Sequence, residues 1–367
     1  MKRAILVGLV AMGAASAFGR MVTDFTDGWS FAREGESFAP VAIPHDWAIA
    51  GPFIPDGEGS TGKLPWKGRG TYRKTIVLGA KPKGRFFLDF DGVMARATVF
   101  VNGQPCGRGE YGYLGFRADA TPYLMAGTNT VEVKCDTMAL KSRWYPGGGM
   151  YRKVVQVETD PVRLDESSLR VETTDVLRKV AQMKVAFSVQ NEQLTAATGT
   201  VNVALSDPKG QVVARIATRF MSDPFRPCAA EVAFPVENSR LWEMQPNAAL
   251  YTITLTLDAD GSHNELTRKV GFREFRFDAN EGFILNGRRI QLKGVDLHAD
   301  LGPLGMAFDV GAADAGLCCR LLAYPYPGKR QDIGNPFGYY AALSAYYEWM
   351  QSARRRVVGR FESYLQL

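Results

Sequence analysis

The residues best suited to chemistry in this 367-residue chain lie in one polar run, "LKGVDLHAD" at 292–300. Asp296 and His298 are two positions apart, so on an extended backbone both side chains project to the same side. The run follows a strand expected at Arg289-Ile290-Gln291-Leu292, and a polar run in that place suits the mouth of a catalytic barrel. Two other chemistries are poorly supported. The triple glycine at 147–149 has no Lys-Ser/Thr after it and opens no helix, so a phosphate cradle is not expected. No His/Cys/Asp cluster has metal-ligand spacing, so neither a metal nor a cofactor is expected. The five cysteines, Cys106, Cys135, Cys228, Cys318 and Cys319, are odd in number and lack a C-x-x-C spacing, which argues against a disulfide scaffold. In an oxidising compartment Cys106 and Cys135 could pair, and the sequence leaves this open.

The bulk composition bounds the rest. Hydrophobic residues make up 46% and charged residues 22%, the balance of a soluble globular protein of two or three domains. Lys2-Arg3, the apolar run "AILVGLVAMGAA" and the small residues Ala15-Ser16-Ala17 form a secretory signal pattern over 1–17. Its apolar run is too short to span a membrane. An exported protein, periplasmic or extracellular, is expected. Lys2 and Arg3 supply two of the six net positive charges. The remaining excess is too mild to point to a nucleic-acid or membrane partner.

The elements that must position such a site are strands. From 21 to 160, "GTYRKTIVL", "GRFFLDF", "ATVFVNGQP" and "NTVEVKC" alternate or are dense in β-branched and aromatic residues. Asn102-Gly103 is a hairpin signal, because a type I′ turn needs positive φ at both central positions. A second all-β stretch, 162–274, carries "KVAFSVQN", "GTVNVALSDPKGQVVARI", "EVAFPV" and "YTITLTLDADG", with a turn at Asp207-Pro208-Lys209-Gly210. Its length suits an immunoglobulin-like sandwich. The boundary is expected near Asp160-Pro161. Residues 310–367 differ in texture: they hold seven of the fourteen tyrosines and no strand–helix–strand alternation.

Six stretches together resemble glycoside hydrolase family 2, the family of β-galactosidases, β-glucuronidases and β-mannosidases. They are "IPHDW" at 43–47, "GRGTYRK" at 68–74, "DGVMARATVFVNGQPCGRGEYGYLGF" at 91–116, "SRWYPGGGMYR" at 142–152, "VGFREFRFD" at 270–278 and "GFILNGRRIQLKGVDLHAD" at 282–300. Pro-His-Asp-Trp and Arg-Trp-Tyr-Pro-Gly look most like the β-galactosidase branch. The resemblance implies a mainly β chain: a jelly-roll sugar-binding sandwich at 21–160, an immunoglobulin-like sandwich at 162–274, and the first strand and entry of a (β/α)8 barrel at 275–309. The tail 310–367 is unlike the family and is expected to be unrelated or frameshifted.

The implied chemistry is retaining hydrolysis of an O-glycosidic bond by two glutamates, an acid/base preceded by Asn and a nucleophile. Asn-Glu occurs at Asn191-Glu192, Asn264-Glu265 and Asn280-Glu281, none in the required strand-end setting, and Glu348 and Glu362 lie in sequence unlike the family. Both catalytic positions are therefore expected to be missing, leaving a truncated chain that is inactive alone. The rim of the site is implied at His298, with Asp296 as a weaker candidate. Arg143 and Trp144 are implied on a loop that reaches the barrel mouth, with a planar guanidinium for hydroxyls and an aromatic face for a sugar ring. The alternative for Trp144 and Tyr145 is plain packing at a domain interface. For His45, Asp46 and Trp47 a structural turn stands beside a role in shaping the cleft. The expected partner is a β-galactoside-like carbohydrate. The competing reading of the whole chain is an exported, non-catalytic carbohydrate-binding protein of two sandwiches.

Overall fold

The structure of the protein, a computed structural model, describes residues 19–244, 248–259, 261–292 and 304–308. Ten strands form the first sandwich: β1 (Met21–Asp24), β2 (Trp29–Arg33), β3 (Ala39–Val41), β4 (Arg69–Leu78), β5 (Arg85–Phe90), β6 (Ala97–Val101), β7 (Gln104–Gly109), β8 (Phe116–Asp119), β9 (Gly127–Asp136) and β10 (Val154–Thr159). They pair antiparallel in two sheets, one of order β3-β2-β4-β9-β6-β7 and one of order β1-β10-β5-β8. Period-two alternation sets which face is which. On β9, Val131, Val133 and Cys135 are buried while Lys134 is exposed. Tyr72 of β4 and Val99 of β6 share the inner face with Trp29, Leu88 and Met150. Asn102 and Gly103 join β6 to β7 with φ of 51° and 79°, as the hairpin signal required.

Eight strands form the second sandwich: β11 (Val162–Leu164), β12 (Arg170–Thr174), β13 (Val180–Asn191), β14 (Ala197–Ser206), β15 (Val212–Ser222), β16 (Cys228–Glu237), β17 (Tyr251–Ala259) and β18 (Ser262–Val270). One sheet gathers β11, β12 and β16 on the long strand β13; the other runs β15-β14-β17-β18. Val185, Val203, Leu205, Ile253 and Leu255 fill the space between them. The turn between β14 and β15 follows its sequence: Asp207 Oδ1 accepts from the backbone of Lys209 at 2.8 Å and of Gln211 at 2.9 Å.

A small antiparallel sheet follows, β19 (Phe275–Asp278), β20 (Gly282–Leu285) and β21 (Arg288–Arg289). Asn286 and Gly287 make its second turn at φ 50° and 75°. Of the strand expected at 289–292 only Arg289 lies in a strand, at the edge of this hairpin, and residues 290–292 follow it without strand structure. Asp296, His298 and the tail 310–367 lie outside the described residues. Cys106 on β7 and Cys135 on β9 are free thiols separated in the sheet by β6, so the pairing left open by the sequence does not form. Burial pushes the Cys106 thiol up to about 12 and raises Cys135 further.

The two sandwiches meet through charge. Glu192, just past β13, lies 2.6 Å from Arg85 of β5 and 2.8 Å from Arg163 of β11. Arg85 also pairs with Asp119. Removing the shared carboxylate takes the ion-pair partner from the partly buried Arg163 guanidinium and leaves Arg85 with Asp119 alone. Glu192→Gln should lower stability by about 2 kcal/mol, measured by urea unfolding; an unchanged midpoint would show that the network is solvent-screened and contributes nothing.

Candidate functional site

Asp46, in the turn "IPHDW", is 2% exposed and accepts four hydrogen bonds. Its Oδ1 receives the backbone N–H of Ala48 at 3.0 Å and of Gly148 at 3.1 Å. Its Oδ2 receives the Tyr145 hydroxyl at 2.6 Å and the backbone N–H of Met306 at 2.9 Å. One carboxylate thereby ties together the turn 43–48, the loop 142–150 and the segment 304–308. A buried carboxylate is tolerated only when its lone pairs are filled, and these four donors fill them. Phe308 adds a backbone bond to Tyr151 at 2.8 Å, and Met306 packs with Met94, Ala95 and Tyr151 in a small apolar cluster.

The three glycines of "SRWYPGGGMYR" serve this packing rather than an anion. A Cβ on Gly148 would stand 2.3 Å from the Trp47 ring, and one on Gly149 would stand 2.0 Å from the Tyr72 hydroxyl. Gly149 also has φ of 111° and exchanges two backbone bonds with Met94. Only glycine lets the loop lie this close to the turn. His45 completes the turn: Nδ1 lies 2.7 Å from the Tyr72 hydroxyl, and the His45 backbone N–H donates to Met150 O at 2.7 Å. Burial lowers the His45 pKa, against a smaller raising effect of Asp46, and burial raises Tyr72 well above its usual value. His45, Asp46 and Trp47 are therefore the structural turn of the two readings left open, and Asp46 is its centre. The sequence reading did not single Asp46 out for this role. A hydrogen-bonding residue held between Pro, His and Trp was the available signal, but its partners lie up to 260 positions away.

From this base a rim projects. Trp144 is 43% exposed, and its Nε1 donates to the Tyr113 hydroxyl at 2.8 Å. Tyr113 and Tyr111 stand with ring centroids 5.5 Å apart. Ser142 holds the loop by donating from Oγ to Trp144 O at 2.7 Å. Arg143 is exposed beside Trp144. Trp144, Tyr113 and Tyr111 thus bring an indole and two phenols together, groups that stack on a sugar ring and donate to its hydroxyls, with the exposed Arg143 next in the chain. Among the described residues no group of three His, Cys, Asp or Glu side chains is placed to hold a metal ion.

The three Asn-Glu dipeptides do not join this surface. Asn191 donates to Thr195 O, Ser222 O and Asp223 O, and Glu192 is held by the two arginines described above. Asn264 is buried, accepting from Leu164 N and donating to Thr159 Oγ1, while Glu265 is exposed on β18. Asn280 and Glu281 form the turn before β20, both backbone N–H groups donating to Asp278 Oδ1.

Two outcomes follow. Asp46→Asn should cost about 3 kcal/mol of stability and speed hydrogen exchange at the Gly148 and Met306 amides; unchanged exchange at Met306 would remove Asp46 as the link. His45 is kept neutral by burial, so its folded pKa lies below the ordinary value of about 6.5. Its contribution is whole above that value and is lost as pH falls through the folded pKa. A urea-midpoint titration from pH 8 to 5 should show this loss, and His45→Asn should flatten it.

Comparison with known proteins follows the same outline. The family model for the sugar-binding domain of glycosyl hydrolases family 2 matches residues 62–159, and the model for glycosyl hydrolases family 2 matches residues 162–273. A β-galactosidase of Bacteroides ovatus is 33% identical over 299 residues, 79% of this chain and 35% of that protein. A β-glucuronidase of Bacteroides fragilis is 28% identical over 281 residues, 73% of this chain and 39% of that protein. The crystal structure of a glycosyl hydrolase family 2 member from Bacteroides cellulosilyticus aligns with a TM-score of 0.74 at 26% identity, over 81% of this chain and 41% of that one. That of a β-glycosidase from Bacteroides vulgatus aligns at 0.69 and 28% identity, over 79% and 38%. The chain therefore spans well under half the length of these relatives. With both models matching in order along two successive sandwiches, the chain belongs, over its N-terminal part, to glycosyl hydrolases family 2.

Proposed function

We propose that the chain is the sugar-recognising front of a glycoside hydrolase of the β-galactosidase type, acting on O-glycosidic bonds with retention. The observation that carries this is the Asp46 carboxylate joining the Trp144 loop to Met306. Met306 follows His298 by eight positions, and this closeness in sequence supports the reading that the polar run shares a site with the rim loop. In that site Trp144 presents its ring face to a pyranose, with its indole N–H already committed to Tyr113. Arg143 donates to ring hydroxyls. Asp296 and His298, outside the described residues, are the further contacts. The relatives matched are hydrolases, which weighs against the non-catalytic binding protein.

Retaining cleavage needs two carboxyl groups about 5 Å apart, one as nucleophile and one as acid/base. Each glutamate that follows an asparagine among the described residues is in an ion pair, on a solvent-facing strand position or in a turn. This supports the reading that the chain alone binds but does not cleave. The charged, apolar and small-residue pattern of 1–17 supports export.

Calorimetry of the full chain with β-galactosides tests the rim. Trp144→Ala should weaken binding about tenfold, and Arg143→Ala should weaken it several-fold. Equal affinity in both variants would sink the rim assignment. A chromogenic β-galactoside should give no turnover above the blank; turnover abolished by Glu192→Gln, Glu265→Gln or Glu281→Gln would overturn the inactivity.

A further inference from the structure

The outer face of the six-stranded sheet carries a cleft of about 680 Å³, distinct from the rim, lined among others by Arg69, Arg96, Thr98, Phe100, Arg108 and Lys134. Register places one row of these residues across four neighbouring strands. Thr71 of β4 stands opposite Lys134 of β9, Lys134 opposite Thr98 of β6, and Thr98 opposite Arg108 of β7. The order is hydroxyl, cation, hydroxyl, cation. Their neighbours in the chain, Tyr72, Val133 and Val99, point inward to the core, so all four side chains face out.

Three observations give this row a ligand chemistry. Lys134 and Arg96 are exposed and have no carboxylate within 4.0 Å among the described residues, while the other basic groups nearby are paired: Arg69 with Asp136 and Glu34, Arg73 with Glu132, and Arg108 with Glu110 at a highly exposed position. An exposed pair of this last kind is worth little and re-partners readily. Lys134 lies over the Phe100 ring at 4.8 Å, and Arg73 over the Phe38 ring at 4.0 Å, so both aromatic faces are already covered by cations. A base could not stack there. Lys134 and Arg108 are two strands apart, roughly 10 Å, comparable to the length of two pyranose rings, with the Thr98 hydroxyl between them.

We infer that this face binds an extended acidic glycan carrying one carboxylate on every second sugar. Lys134 and Arg108 each take a carboxylate, by charge-assisted hydrogen bonds, and the two threonines take hydroxyls of the intervening neutral rings. The site would hold a polymeric substrate on the chain at a place separate from the rim, and it does not depend on the rim assignment.

The test is titration of the full chain with a hexasaccharide alternating glucuronate and N-acetylglucosamine, with chitohexaose as the neutral control. Lys134→Ala and Arg108→Ala should each weaken binding of the acidic probe about tenfold, Lys134→Arg should retain it, and chitohexaose should not bind this face. Trp144→Ala should leave the acidic probe unaffected, which separates this site from the rim. Melting curves of the Lys134 and Arg108 variants, both on exposed strand positions, control for folding. The inference is overturned if the acidic probe fails to bind at millimolar concentration. It is equally overturned if both alanine variants bind like the wild type. A single-stranded oligonucleotide that binds as tightly, with a steep salt dependence, would show diffuse attraction in place of a glycan site.

Discussion

The carboxylate of Asp46 is the constraint on which the turn 43–48 and the loops packed on it depend. It is buried, and its cost of desolvation is offset only if its donors are all in place. Those donors come from three separated stretches, so the turn, the rim loop and the segment at 304–308 are held as a unit or not at all. The neighbouring sequence follows from this requirement. Small residues at 147–149 let the loop backbone reach the carboxylate and lie flat on Trp47 and Tyr72. Around it Phe31 packs against His45, Trp47 and Tyr72, and these rings close the polar centre off from water.

Rigidity below the loop extends to the exposed Trp144. Its bond to Tyr113 and the Ser142 bonds at its backbone set the orientation of the indole. The charged network around Glu192 has the complementary task at the other side of the sandwich, fixing the first sandwich to the second through Arg85 and Arg163. A glutamate following an asparagine is therefore employed here as a structural counter-ion, and the same dipeptide serves as a strand-to-strand tie at 264 and as a turn at 280. The dipeptide alone carries no catalytic meaning.

The six-stranded sheet uses its two faces for different purposes. The inner face is apolar and closed by Trp29, Tyr72 and Val133. The outer face alternates cations, hydroxyls and carboxylates, with two of its cations left without a carboxylate partner among the described residues. Period-two geometry forces this division: every residue that serves the core fixes its neighbour as surface.

That division is also what the sequence determined by itself. Strand alternation, the Asn-Gly turns at 102 and 286 and the Asp-Pro-Lys-Gly turn at 207–210 are local patterns, decided by sterics and hydrogen bonds within a few residues, and the two sandwiches were legible from them. The motifs at 43–47 and 142–152 were legible as belonging together only through family likeness. What joined them, the bonds from Tyr145 and Gly148 to the Asp46 carboxylate, was decided by tertiary structure, as was its bond to Met306, 260 positions away, because no local period encodes such contacts. The same holds for Cys106 and Cys135, whose separation by β6 depends on strand order, and for the row Thr71, Lys134, Thr98 and Arg108, which exists only once four strands adopt their register. Local chemistry chose the faces; the long-range pairing of strands chose which side chains meet on them.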